Sequence, residues 1–280
     1  MKNIKIALCQ IKPASDTDNT VEHALEMIQT SAENGADIVT FPEMFYYPYD
    51  LSKIRNIVGK ENEYLQMLAS AAQKHGVYLS TGSMAFSDGE KLYNRSHLIA
   101  PDGKILGEYS KCHLFEAKIS GVAISESGVF TRGNSLAVID TPLCKIGIMI
   151  CFDIRFPEMA RLYALDGVEL LLVPSVFNNV TGAAHWHTML RGRAIENQFF
   201  VAAASQARNP DSSYCAYGHS MVVGPWGEII GEALEGEEIV YCTIDKSSIE
   251  ESKNKLQLLN HRRDDIYNLS LSNGKDGKDR

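Results

Sequence analysis

Apolar residues recur along the chain with two alternating periods. From Ile4 to Cys9 apolar and polar positions alternate, which predicts a strand with one buried face. In "DNTVEHALEMIQTSAENGAD" the period changes, with Val21, Ala24, Leu25 and Ile28 spaced i, i+3, i+4 and i+7. With Asp18 or Asn19 as cap and Gly35 as stop, the segment predicts an amphipathic helix. "DIVTFPE" predicts a second strand that ends at Pro42 and Glu43. The unit then repeats: "EYLQMLASAAQKHG" reads as a helix stopped by Gly76, and "VYLSTGSM" as the next strand.

The tempo then shifts. "YNRSHLIA" and "KILGEYSK" read as two strands joined by a tight turn at "PDG", so hairpins are mixed with β-α-β units. "CKIGIMIC" predicts a buried strand, "FPEMARLYALDG" a helix with Pro157 in its first turn, and "VELLLVP" another strand. "HWHTMLRGRAIENQ" predicts a helix, "FFVAAAS" a strand, and "GHSMVVGPWGEIIGEA" a hairpin about Pro225 to Gly227. A strand "EIVYCTID" and a helix "KSSIEESKNK" follow, and the polar, glycine-rich residues 270–280 predict a disordered tail. No repeat or linker divides residues 1–269, so the pattern favours a single α/β domain of two packed sheets with helices outside.

Composition narrows the function more than the fold. Apolar residues make up 45 % and charged residues 22 % of the 280 positions, an ordinary globular balance. A formal net charge of −8 argues against nucleic acid or an anionic membrane as the main partner and favours a small molecule. The first residues, "MKNIKIALCQ", have an apolar run broken by Lys5, which predicts a cytoplasmic first strand in place of a signal peptide or a membrane span. The six cysteines, Cys9, Cys112, Cys144, Cys151, Cys215 and Cys242, form no C-x-x-C pair, so neither a zinc site nor a disulfide framework is expected.

One cysteine is placed unlike the others. In "KIGIMICFDIRFPE" an apolar strand ends on Cys151 and the chain turns at once toward a helix. A side chain at such an elbow projects from the sheet end, where the following backbone N–H groups are unpaired. The bland alternative is a core cysteine that finishes a strand. A thiol needs a base or a cation beside it to react. His113, His185, His187 and His219 are histidine candidates for that base. Glu43, which follows a strand and precedes Phe45, Tyr46, Tyr47 and Tyr49, is an acidic one. A carboxylate among aromatics has its pKa raised, which suits a general base. Lys111, closing the strand in "GEYSKCHLF", is placed to hold an oxyanion and lower the thiol's pKa, or is simply a solvated charge. "HWH" at 185–187 suggests metal ligands, but an i, i+2 spacing on a helix points the rings apart, so packing or a dimer contact is expected.

"FPEMF", "YSKCHLF" and "GIMICFDIRFPE" resemble, in order and spacing, the three signature segments of the carbon-nitrogen hydrolase (nitrilase) superfamily. "CFDIRFPE", "TGAAHWHTMLRGRAIENQ", "YGHSMVVGPWGE" and "RRDDIY" are similar to its ω-amidase, or Nit2-like, group. True nitrilases favour a Trp-Glu pair after the nucleophile, where this chain has Phe152 and Asp153, which argues against nitrile hydrolysis. The resemblance implies a four-layer α-β-β-α sandwich assembled as a homodimer or larger homo-oligomer. It implies Cys151 as nucleophile, Glu43 as base, Lys111 as oxyanion stabiliser, and Glu126 as a second glutamate that orients Lys111 or substrate. The Phe152 N–H then shares the oxyanion, and the chemistry requires no cofactor or metal.

Two substrate contacts are expected: Arg155, which either grips a substrate carboxylate or pairs with Asp153 or Glu158, and Tyr49 in the same pocket. The implied reaction is hydrolysis of the terminal amide of a small carboxylic acid, such as 2-oxoglutaramate or 2-oxosuccinamate. An N-carbamoyl amino acid hydrolase or a deaminated-glutathione amidase would use the same triad. Val122 and Ala123 stand where the group suggests more polar residues, which leaves substrate preference open. From a different class, a redox role for Cys151 would need a resolving thiol, for which Cys112 is the candidate.

Overall fold

A computed structural model describes residues 3–119 and 122–271. Two sheets stack face to face with helices on their outer faces, giving the four-layer α-β-β-α sandwich of a single α/β domain. The first sheet is built from β1 (Ile4–Gln10), β2 (Ile38–Thr40), β3 (Tyr78–Ser80), β4 (Met84–Asp88), β5 (Lys91–Ile99), β6 (Ile105–Ser110) and β15 (Glu238–Ile244). Its order is β15-β1-β2-β3-β5-β4, with β6 on the free side of β5. The second sheet has the order β14-β13-β12-β11-β10-β9. Its strands are β9 (Val138–Asp140), β10 (Lys145–Ile148), β11 (Leu170–Ser175), β12 (Phe200–Ser205), β13 (Met221–Val223) and β14 (Ile229–Glu232). Between the two in sequence, β7 (Glu116–Ile119) and β8 (Val122–Ser125) form a separate hairpin.

The alternation along a strand decides which core each side chain joins. Ile4, Ile6 and Leu8 of β1 point between the sheets, where they meet Ile146, Ile148 and Leu172 of the second sheet. Ala7 and Cys9 point the other way, onto Val21, Ala24 and Ile28 of α1 (Thr17–Glu33) and Leu68 and Ala72 of α2 (Glu61–His75). Both faces of β1 are therefore buried, where the alternation suggested one, because short alanine and cysteine side chains make room for helices. Each fully buried isoleucine or leucine contributes about 1.5–3 kcal/mol. On the other side α3 (Pro157–Leu165) and α4 (Asn179–Asn197) cover the second sheet through Met159, Tyr163, Trp186 and Leu190. A final helix, α5 (Ser247–Lys255), follows β15.

Local signals place most boundaries. Pro157 is the first residue of α3, and Gly76, at φ 67°, ends α2. The cap of α1 is Asp16, two residues earlier than expected, whose carboxylate accepts from the Asn19 N–H at 3.1 Å. Within that helix Met27 is buried and Leu25 only half-buried, so the buried stripe is shifted by part of a turn. "VYLSTGSM" holds the whole of β3 and the first residue of β4, divided by a bend at Gly82, which has φ 69°. A Cβ there would overlap the Pro42 carbonyl oxygen, so the glycine lets the chain pass directly beside the residue that precedes Glu43. The predicted tail lies, apart from Ser270 and Leu271, outside the described residues.

Candidate active site

In the first sheet β2 and β3 are parallel, and β6 is antiparallel to β5, which is itself antiparallel to β3. Strands β2 and β6 therefore run the same way, as do β10, β11 and β12 in the second sheet. Their carboxyl ends carry Glu43, Lys111, Cys151, Val176 and Gln206 respectively, and Glu126 follows β8. The strand-end residues singled out by sequence thus meet at one edge.

Cys151 opens a 3-10 helical turn, Cys151–Arg155, and has φ 46°, a left-handed conformation that costs a non-glycine residue about 1–3 kcal/mol. Asp153 holds the elbow in it. This buried carboxylate accepts from the Ile150 N–H at 2.9 Å, the Tyr109 hydroxyl at 2.7 Å, and the His113 N–H and ring Nδ1 at 2.9 and 2.8 Å. The first N–H groups of the turn, including that of Phe152, have no helical carbonyl behind them to bond. Glu43 is held in a similar way. Met44, next to it, has φ 48°, and the buried Gln206 amide donates to the carbonyls of Glu43, Met44 and Tyr47 at 3.0, 2.9 and 3.2 Å.

The charged groups form one buried chain. Lys111, 1 % exposed, donates to Glu43 Oε1 at 2.7 Å and lies 2.9 Å from Glu126 Oε2. Glu43 Oε1 also accepts from the Asn94 amide at 2.8 Å, whereas Oε2 is buried without a hydrogen-bond partner. Glu126 is completed by the Tyr49 hydroxyl at 2.6 Å and the Phe115 N–H at 2.6 Å. Burial raises the pKa of Glu43, with Lys111 opposing and Glu126 reinforcing the shift. Burial also pulls the Lys111 ammonium down, but Glu126 and Glu43 outweigh it and hold its pKa well above the usual value. The Cys151 thiol is pushed well up by burial and by the Glu43 charge, against Lys111 and a hydrogen bond from the Val176 backbone. Lys111 does lower the thiol's pKa, as the sequence suggested, but by less than burial raises it. The resting sulfur is thus held toward its protonated form, within hydrogen-bonding reach of the Glu43 carboxylate.

Glu43, Lys111 and Cys151 face a narrow pocket completed by Phe115, Phe152, Arg155, Phe177, Thr181 and Tyr214, and by the ring of Tyr49. Its volume is about 260 Å3. Glu126 stands behind Lys111 and does not line the pocket. Arg155 pairs with neither Asp153 nor Glu158, nor with any other carboxylate among the described residues. Its guanidinium lies over the Phe177 ring at 4.8 Å, and Nη1 is 3.2 Å from His185 Nδ1. None of the four histidines lines the pocket: His113 is on Asp153, His185 on Arg155, and His187 and His219 on Glu232. Cys112 is also outside it, its thiol directed at the carbonyls of Ser110 and Ser135.

Sequence reasoning missed Asn94, Asp153, Gln206, Phe115, Thr181 and Tyr214. Asp153, Phe115 and Thr181 lie inside the segments that carry the family resemblance, but nothing local gave them these roles, and Asn94, Gln206 and Tyr214 look like ordinary strand or loop residues.

A cysteine at a strained strand-end turn, a buried Glu-Lys-Glu chain and a two-sheet sandwich stand together here, and the chain belongs to the carbon-nitrogen hydrolase family, whose model matches residues 5–254. It is 38 % identical to Omega-amidase NIT2 of Danio rerio over 96 % of this chain and 98 % of that protein. Among solved structures, Saccharomyces cerevisiae Nit3, described as a member of branch 10 of the nitrilase superfamily, superposes with a TM-score of 0.85 at 37 % identity, covering 94 % of this chain and 97 % of the other. The NitFhit protein of C. elegans gives 0.89 at 34 % identity over 95 % of this chain and 66 % of that one. The chain is thus a hydrolase of carbon-nitrogen bonds, an amidase of the nitrilase superfamily. Among the described residues no helix is long and apolar enough to cross a membrane.

Proposed function

We propose that this amidase removes ammonia from the terminal amide of a small acid, of the 2-oxoglutaramate or 2-oxosuccinamate type, through a thioester on Cys151. The observation that carries the substrate reading is Arg155, a guanidinium on the pocket wall with no carboxylate partner among the described residues. Burial lowers its pKa, so a substrate carboxylate would restore a charge balance that the fold leaves incomplete. The narrow pocket suits a short acyl chain lying between this guanidinium and the thiol. Relatives named omega-amidases support the same reading.

In the reaction proposed, Cys151 Sγ bonds to the amide carbon as its proton passes to Glu43. Lys111 and the Phe152 N–H hold the tetrahedral oxyanion. The C–N bond breaks as Glu43 gives the proton to the leaving nitrogen, so ammonia departs and a thioester remains. Water then gives a proton to Glu43 and adds to the thioester carbon. Collapse returns the proton to the sulfur and frees the acid. Glu126, which touches Lys111 and Tyr49, positions the ammonium and takes no part in bond making. The six free cysteines, four of them buried, suit a reducing compartment such as the cytoplasm, and the homo-oligomer that the resemblance implies is part of the same reading.

Ammonia release from 2-oxoglutaramate, succinamate, propionamide, an N-carbamoyl amino acid and a nitrile tests the substrate class, with the first two expected to lead. Arg155→Ala is expected to raise KM for succinamate roughly 30- to 150-fold, the worth of a charge-assisted contact of about 2–3 kcal/mol, and to leave propionamide unchanged. Equal losses on both would remove Arg155 from carboxylate recognition.

The pH profile follows from the raised pKa of Glu43. The base works only when ionised, so kcat/KM falls as pH drops through a value above the ordinary 4.5 of a glutamate. Lys111, held well above 10.5, keeps its charge on the alkaline side, so activity is expected to persist until the fold itself fails. An acid limb at or below pH 4.5 contradicts Glu43 as the base.

A further inference from the structure

Away from the pocket, three side chains from separate elements converge on one point. His187 comes from α4, His219 from the segment leading into β13, and Glu232 from the end of β14. His187 Nε2 and His219 Nδ1 both lie 2.8 Å from the same oxygen, Glu232 Oε1, and the three atoms fall within 4.8 Å of one another. We propose that His187, His219 and Glu232 form a binding site for one divalent transition-metal cation of the zinc type, separate from the amidase chemistry.

The donor set and its support fit that ion. Two imidazoles and one carboxylate are the ligands zinc, cobalt and nickel take, whereas magnesium and calcium demand more oxygens. At bond lengths near 2.1 Å, tetrahedral ligand atoms stand about 3.4 Å apart, so each ring would move about half an ångström away from Glu232 Oε1 while the two ring nitrogens, at most 4.8 Å apart, settle at the same spacing. The side chains are 36 %, 19 % and 26 % exposed, which gives the ion a route in and leaves a coordination position for water.

His219 is the fixed member. Its backbone takes φ 59°, its N–H donates to the Leu234 carbonyl at 3.0 Å, and its own carbonyl accepts from the Trp186 indole at 2.7 Å. Its ring stacks on Tyr217 at 4.4 Å. Such support orients a ligand before the metal arrives. The ion would tie α4 to the β13–β14 edge, and α4 is the helix whose His185 bonds Arg155 and whose Trp186 packs on Phe177.

The test uses chelator-stripped full-length Cys151→Ala protein, so that the pocket thiol does not compete for metal. Calorimetric titration with zinc and with nickel is expected to show one site per chain at micromolar concentrations, with a rise in Tm, while magnesium does neither. His187→Gln and Glu232→Gln, each with an unchanged metal-free Tm, are expected to weaken binding roughly 100-fold and abolish the Tm rise. If either variant folds poorly, the other carries the test. Binding only at millimolar metal, equal binding by the variants, or an equal response to magnesium would overturn the site.

Discussion

Replacing Cys151 by alanine is expected to abolish ammonia release, lowering kcat by about 10^4-fold or more, while the protein remains folded with a Tm near that of the wild type. The size of the loss follows from the role: without Sγ no thioester forms, and the remaining groups can only orient a water. The stability result follows from the site. Alanine takes the same left-handed φ with the strain already present, and the Asp153 network that holds the elbow does not involve the sulfur. Ammonia release and thermal unfolding on the same preparation check both halves. A residual kcat above roughly one per cent of wild type would mean that a group other than this thiol attacks the amide. Cys151→Ser is expected to fail as well, because a hydroxyl is a far weaker acid than a thiol and Glu43 is not basic enough to activate it.

Lys111→Met is expected to damage both activity and fold. The ammonium is the cation between the Glu43 and Glu126 carboxylates, all three groups being buried. Removing one partner of a buried ion pair costs about 3–5 kcal/mol, because it leaves charge without compensation. For a chain of this size that lowers Tm by roughly 6–20 °C. Activity falls by at least about 10^3-fold, since the oxyanion loses its cationic partner and the base is driven toward its protonated form. Adding Glu43→Gln to Lys111→Met removes one of the facing charges and is expected to restore part of the lost Tm and none of the activity. Thermal unfolding of the single and double variants measures the coupling. A Tm for Lys111→Met within 2 °C of wild type, on the same scale of roughly 2–4 °C per kcal/mol, would show that the ammonium does not hold these carboxylates together.

The parts of the fold that could be read from sequence were those with a local cause. Helix α2 shows its apolar stripe and its glycine stop within one turn of where they act, and β10 and β11 carry the apolar runs 146–150 and 170–174. The double burial of β1 depends on which helices cover it, which alternation along the strand cannot state. Strand β9 is three residues long, too short for any period, and β4 is separated from β3 only by the bend at Gly82.

The same division holds at the site. Cys151, Glu43 and Lys111 could be picked out because all three close predicted strands and their segments together resemble one family, whereas each taken singly also fits a core cysteine or a surface charge. Gln206 looks like any polar residue after a strand, and its role rests on carbonyls up to 163 positions away. Asp153 is part of the segment that follows Cys151, but its grip on Tyr109 and His113 spans 44 and 40 residues. Arg155 was left between two readings by its sequence neighbours, and the geometry separates it from both candidate acidic partners.

An acyl group carried on Cys151 is tested most directly by the mass of the enzyme during turnover. Wild-type protein mixed with succinamate, quenched in acid within the first turnovers and digested, is expected to show the peptide containing Cys151 heavier by the mass of the substrate less ammonia. The Cys151→Ala protein should show no such gain. Turnover with no gain on that peptide, or a gain located on another residue, would contradict the account.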